Sequence, residues 1–211
     1  MAYRRYKKSY RKRTTRPRYR KRYYKRRYNR GVEYKRNEVT LANTQVPAAT
    51  PVFTLLNGVK AGTGEDECIG RKFTMKQLQV RGTLYSSIDQ LFRVMIVIDK
   101  QTNGAVFPIA DLLTNTITNQ GYINSLKQVD FARRFWVLYD RTFKVEMQTD
   151  PDGDYRTFKI NRRMSIPVSK KSDAENVTDI MRNSMYMVTI SQNATTQSFV
   201  AATSRLRFTD D

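Results

Sequence analysis

The chain has 211 residues, a formal net charge of +20, no histidine and a single cysteine, Cys68. One cysteine excludes an intrachain disulfide framework, the lack of histidine leaves a Ser or Cys nucleophile without its usual base, and no apolar run reaches the roughly 20 residues that span a bilayer. What remains is one ordinary domain with a real core, joined to a strongly basic leader.

The leader reads MAYRRYKKSYRKRTTRPRYRKRYYKRRYNR, with sixteen Lys or Arg, seven Tyr and no acid in thirty residues. The rest of the chain holds 23 basic and 19 acidic residues, a balance of only +4. Such a leader cannot bury enough apolar surface to offset its ordering entropy and is expected to be disordered on its own. Its chemistry fits a polyanion, because each neutralised phosphate releases condensed counterions. A membrane arm would carry Leu, Ile or Phe on one helical face, so no membrane partner is expected. Tyr interleaved with Arg suits single-stranded nucleic acid instead, the rings stacking on bases. The candidate phosphate contacts are Arg4, Arg5, Lys7, Lys8, Arg11, Lys12, Arg13, Arg16, Arg18, Arg20, Lys21, Arg22, Lys25, Arg26, Arg27 and Arg30. Tyr3, Tyr6, Tyr10, Tyr19, Tyr23, Tyr24 and Tyr28 are the stacking candidates. The plainer reading is a solubilising or nuclear-import tail.

Basic density falls after Arg36, which places a hinge at 31–37 and divides the chain into an arm, 1–36, and a domain, 37–211. From there the signal is strand. Val39 and Leu41 alternate with polar residues, and Pro47 and Pro51 then interrupt before VFTLL at 52–56, giving one broken strand or two short ones. In RKFTMKQLQVRGTLY, Phe73 and Met75 share one parity while Leu78, Val80 and Leu84 share the other, which predicts a β-bulge at Lys76-Gln77. LFRVMIVI at 91–98 reads as a strand covered on both faces, with Arg93 near an end. FWVLYDRTFKVEM at 135–147 reads as two strands joined at Asp140-Arg141, and PDGD at 151–154 as a turn. Phe158, Ile160, Met164 and Ile166 mark a strand ending at Pro167, and MYMVTI (185–190) and VAATSRLRF (200–208) mark two more. Short helices are expected near 108–113 and 174–181.

Eight or nine strands with little helix give an all-β sandwich or barrel. The long connection from Asp99 to Arg133 exceeds a hairpin and suits a crossing between sheets in Greek-key or jelly-roll topology. An enzyme finds little support. Asp150, Asp152 and Asp154 are the only dense acidic set and read as a hairpin turn, and the glycines of GVKAGTGEDECIGRK lack the Walker spacing. No cofactor or metal is expected, and Cys68 reads as a small apolar filler. On the domain, Arg71, Lys72, Lys76 and Arg81 are candidates for a second basic surface, with a solvated role as the alternative. Arg133 and Arg134 carry the same two readings.

GTGEDECIGRKFTMKQLQVRGTL, then FRVMIVIDKQTNGA and RRFWVLYDRTF, resemble coat proteins of small circular single-stranded DNA viruses, the geminivirus-like and satellite-necrosis-virus-like single jelly-roll capsid proteins. The resemblance covers most of residues 58–145. It implies an eight-stranded jelly roll, assembly into a virion shell commonly of 60 subunits, and basic arms directed inward at the genome. A basic leader of this kind also implies host nuclear import receptors as partners. The competing reading is a basic nucleic-acid-binding protein, ribosomal or chromatin-like, that does not assemble.

Overall fold

The computed structural model describes residues 33–47, 50–114, 122–146, 154–192 and 198–210, so the arm contacts named above and Asp150 and Asp152 lie outside the described residues. The alternation resolves into β1 (Lys35–Gln45), β2 (Val52–Leu55), β3 (Lys72–Ser86), β4 (Gln90–Asp99), β5 (Phe135–Val145), β6 (Asp154–Lys170), β7 (Ile180–Arg182), β8 (Ser184–Ser191) and β9 (Ser198–Asp210). One helical turn, α1 (Ile109–Leu112), sits inside the predicted 108–113 segment. The strands form two sheets, ordered β1-β9-β3-β6-β7 and β2-β8-β4-β5. Their antiparallel pairs nest: β1 with β9, β2 with β8, β3 with β6, β4 with β5. A ribbon folded on itself and rolled into two sheets is the jelly roll, with β7 added at one edge.

The bulge is where the sequence puts it. The register of β3 shifts between Met75 and Gln77 against both β6 and β9. Phe73, Met75, Leu78, Val80 and Leu84 are therefore all buried between the sheets. Without that shift Phe73 and Met75 would face water, at a cost of about 3–6 kcal/mol, which outweighs one disrupted ladder position.

β4 is buried on both faces, for two different reasons. Val94, Ile96 and Ile98 enter the core between the sheets, while Met95 and Val97 join a second cluster with Phe107, Leu112, Leu113 and Ile123. That second cluster explains the long connection. β4 and β5 pair in the same sheet, so the chain between them does not cross sheets as expected; it folds back over the outer face of the four-stranded sheet. Phe107 anchors it, with its ring centroid 5.1 Å from Phe53, 5.6 Å from Tyr186 and 4.6 Å from Phe135.

Other expectations are corrected by tertiary pairing. FWVLYDRTFKV is one strand, not two, because β5 is the sheet edge and Asp140 pairs in register with Met95 while its carboxylate binds Arg93. β6 runs through Pro167 to Lys170, since β7 covers that edge only from Ser169 onward and the missing N–H costs no ladder bond there. Residues 174–181 give a single 3-10 turn, Val177–Asp179, before Ile180–Arg182 pair with β6. β1 and β2 are separate and belong to different sheets.

Candidate nucleic-acid interface

The five-stranded sheet buries one face and leaves the other open, and the bulge in β3 decides which residues stand on the open side. Beyond it Leu78, Val80 and Leu84 point inward, so Gln77, Gln79, Arg81, Thr83 and Tyr85 point out. Register aligns these with outward positions on the neighbours. One row across the strands is Arg36, Arg207, Gln77 and Arg163, and a second is Thr40, Thr203, Arg81 and Lys159. The open face thus presents Arg36, Lys76, Arg81, Lys159, Arg163, Arg205 and Arg207, against Glu38 as the acid on the described outward positions of β1, β3, β6 and β9. Glu38 is held by Arg205 at 2.6 Å.

Within this face Lys76 donates to Ser165 Oγ at 3.3 Å and Gln77 to Asn161 Oδ1 at 2.8 Å. The Nε of Arg207 is shielded from solvent and has no acceptor. Between the rows lies a groove of about 770 Å³ bordered by Thr40, Arg81, Thr83, Thr157, Lys159 and Thr203. Its floor is low because Gly82 lies under Phe158: a Cβ there would stand 2.4 Å from the Phe158 ring and 2.9 Å from the Ala201 carbonyl oxygen.

Of the domain residues singled out from sequence, Lys76 and Arg81 stand on this face, while Arg71 and Lys72 are exposed at its far end, before β3 reaches the bulge. Arg36, Lys159, Arg163, Arg205 and Arg207 were not singled out. A signal for the last four existed, since 159–163 and 205–207 place basic residues at odd positions opposite even apolar ones, but only strand order gathers them.

The same end of the sheet takes two basic residues out of circulation. Lys35, expected in the hinge, is a buried strand residue whose ammonium binds Asp210 at 2.9 Å and the Glu67 carbonyl oxygen at 3.0 Å. Lys170 donates its ammonium to the carbonyl oxygen of Val59. The segment from Gly58 to Gly70 is strapped here through Arg36 N–H to Glu65 O, 2.9 Å, and Ile69 N–H to Asp210 Oδ1, 3.2 Å. Cys68 is buried in the core, which pushes its thiol pKa up. Gly62 is required by contact: a Cβ would meet the Glu67 carboxylate at 2.0 Å. That carboxylate accepts the Gly64 N–H and pairs with Lys60 at 3.2 Å, and both hold its pKa below the usual range.

A depressed carboxylate pKa stabilises the fold above the unfolded value, and the contribution is lost as pH falls through the folded one. Glu67→Gln is therefore expected to melt below the parent at pH 7, with the difference closing in acid as the parent's Glu67 protonates. Thermal melts of both proteins against pH check this; a gap that persists in acid excludes it.

Two further arginines serve the fold. Arg93 lies mid-strand, not at an end, and is buried, with both guanidinium edges used. It makes a paired contact to Asp140 at 2.8 and 2.7 Å and donates to the carbonyl oxygens of Tyr122 and Ser125, each at 2.8 Å. It thereby ties the long connection to the sheet. Arg134 binds Asp99 at 2.9 and 2.8 Å and Asp111 at 3.0 Å. Arg133 is exposed. Large exposed apolar residues concentrate nearby, at Leu126 (77%), Val129 (82%), Phe131 (41%) and Trp136 (49%). Among the described residues no group of three or more His, Cys, Asp or Glu is placed to hold a metal ion.

Residues 4–211 match the family model described as Satellite tobacco necrosis virus coat protein. The coat protein of Maize white line mosaic Satellite virus is 24% identical over 185 residues, covering 85% of this chain and 82% of that protein. A solved structure of Desmodium yellow mottle tymovirus aligns over 85% of this chain and 87% of its own, at 8% identity and a TM-score of 0.33.

Proposed function

The chain belongs to the satellite tobacco necrosis virus coat protein family, and on that premise we propose that sixty copies close into an icosahedral shell around a single-stranded DNA genome gathered by residues 1–36. It is a viral capsid protein whose copies assemble into the coat of a virion. The observation that carries the genome reading is the leader, sixteen cations without one acid, joined to a coat domain that is itself nearly neutral. Sixty arms of sixteen cations bring about 960 charges, on the order of a thousand phosphates of a short genome, with small ions balancing the rest. Binding of this kind positions the polymer and reads no sequence, since Arg and Lys meet phosphates and Tyr meets any base.

DNA is favoured by the resemblance of residues 58–145 to coat proteins of circular DNA viruses; phosphate and stacking contacts serve RNA equally. Contacts between copies are assigned to the exposed apolar residues Leu126, Val129, Phe131 and Trp136, because closed shells bury repeated apolar patches. Imaging the purified protein by electron microscopy tests the whole. Uniform particles whose contents are sensitive to DNase are expected, and Val129→Asp is expected to remove the particles while leaving the thermal melt unchanged. A protein that stays monomeric while binding nucleic acid would overturn the shell. RNase-sensitive contents would overturn the DNA assignment.

A further inference from the structure

Resting on that genome-packaging reading, we infer that the open face of the five-stranded sheet is a built site for single-stranded nucleic acid, at which Tyr85, Tyr155 and Phe199 stack bases while Arg81 and Lys159 hold the adjoining phosphates. The three aromatics form one row across three neighbouring strands. Tyr85 of β3 is in register with Tyr155 of β6 on one side and with Phe199 of β9 on the other. All three stand at outward positions, with Tyr85 at 40% and Tyr155 at 60% exposure. Large rings left in water on an otherwise polar sheet gain nothing from the fold. Facing a base, each has a flat partner of matching polarity, and that contact does not depend on which base it is.

The next row along the strands is small, Thr83, Thr157 and Ala201, and opens the groove. The row after it brings Arg81 beside Lys159. Two residues of strand advance about 7 Å, within one nucleotide's reach between a stacked base and a neighbouring phosphate. Charge complementarity selects the occupant: the face carries the seven cations named above against Glu38, and the guanidinium of Arg207 retains a donor without an acceptor. From Gln77 to Tyr85 the face runs about 27 Å, room for several nucleotides of an extended strand. The chain enters this same sheet at Lys35, directly after the basic leader.

The test uses the full-length protein and single-stranded oligonucleotides carrying 5-iodouracil, irradiated and mapped by mass spectrometry. Crosslinks at Tyr85 and Tyr155 are expected in addition to those in the leader. The double variant Tyr85→Thr, Tyr155→Thr keeps strand-forming side chains and the parent's melting temperature. It is expected to weaken binding of a thymidine oligonucleotide by about tenfold for each stacked base lost, and to leave binding of an abasic oligonucleotide of equal length unchanged. Crosslinks confined to residues 1–30, or equal weakening for both oligonucleotides, would overturn the stacking site while leaving packaging by the leader intact. Absence of any nucleic-acid binding would overturn both.

Discussion

Between 50 and 200 mM salt the full-length protein is expected to lose about four orders of magnitude in affinity for single-stranded nucleic acid, and a protein lacking residues 2–30 to lose far less. The expectation follows from counterion release, roughly 0.7 ions per phosphate neutralised on a single strand. If ten of the sixteen leader cations engage, the log–log slope is about −7. Without the leader, three or four contacts from the open sheet face would leave a slope of about −2 to −3. Filter binding or fluorescence anisotropy over a salt series reads both numbers. A slope near zero for the full chain, or one the deletion does not change, would remove the leader from its assigned role. In a fluorescent fusion the same deletion is expected to abolish nuclear accumulation, since the basic run is also the proposed import address; accumulation that persists refutes that part alone.

Arg134→Met is expected to destabilise the domain by about 3–5 kcal/mol, the usual cost of stranding a buried charge. Asp99 is fully buried and its carboxylate is met by both Arg134 contacts and by the Gln101 N–H at 3.0 Å. Arg134 also reaches Asp111 at 3.0 Å and stands 4.9 Å over the Phe135 ring, so it ties the end of β4, α1 and the start of β5 together. The carboxylates push its pKa further up, and it remains charged at any accessible pH. Adding Asp99→Asn to Arg134→Met is expected to recover a large part of the loss, because the stranded charge is then gone. Chemical denaturation of the two single variants and the double variant measures the coupling directly. Additive effects would show that the pair is not the source of the cost.

The separation of leader from domain, the strand content, the bulge at Lys76-Gln77 and the double-sided burial of β4 were all legible in the chain, because each is written in residues within a few positions of one another. Alternation with period two, a parity switch inside one strand and a run of β-branched residues are local patterns that pleated backbone must obey. The jelly roll followed from their number and from the resemblance of residues 58–145.

The fate of each charge in the domain was not legible. Arg93, Arg134, Lys35 and Lys170 look like surface residues in the chain, and each is drawn inward by an acid or a carbonyl oxygen brought from a distant strand or loop. Arg36, Lys159, Arg163, Arg205 and Arg207 are scattered through the sequence, and only the order β1-β9-β3-β6 sets them on one face beside Arg81. The same holds for the row Tyr85, Tyr155 and Phe199. Periodicity fixes which side of its own strand a residue takes, whereas strand order and register, decided by burial of the whole core, fix what stands next to it.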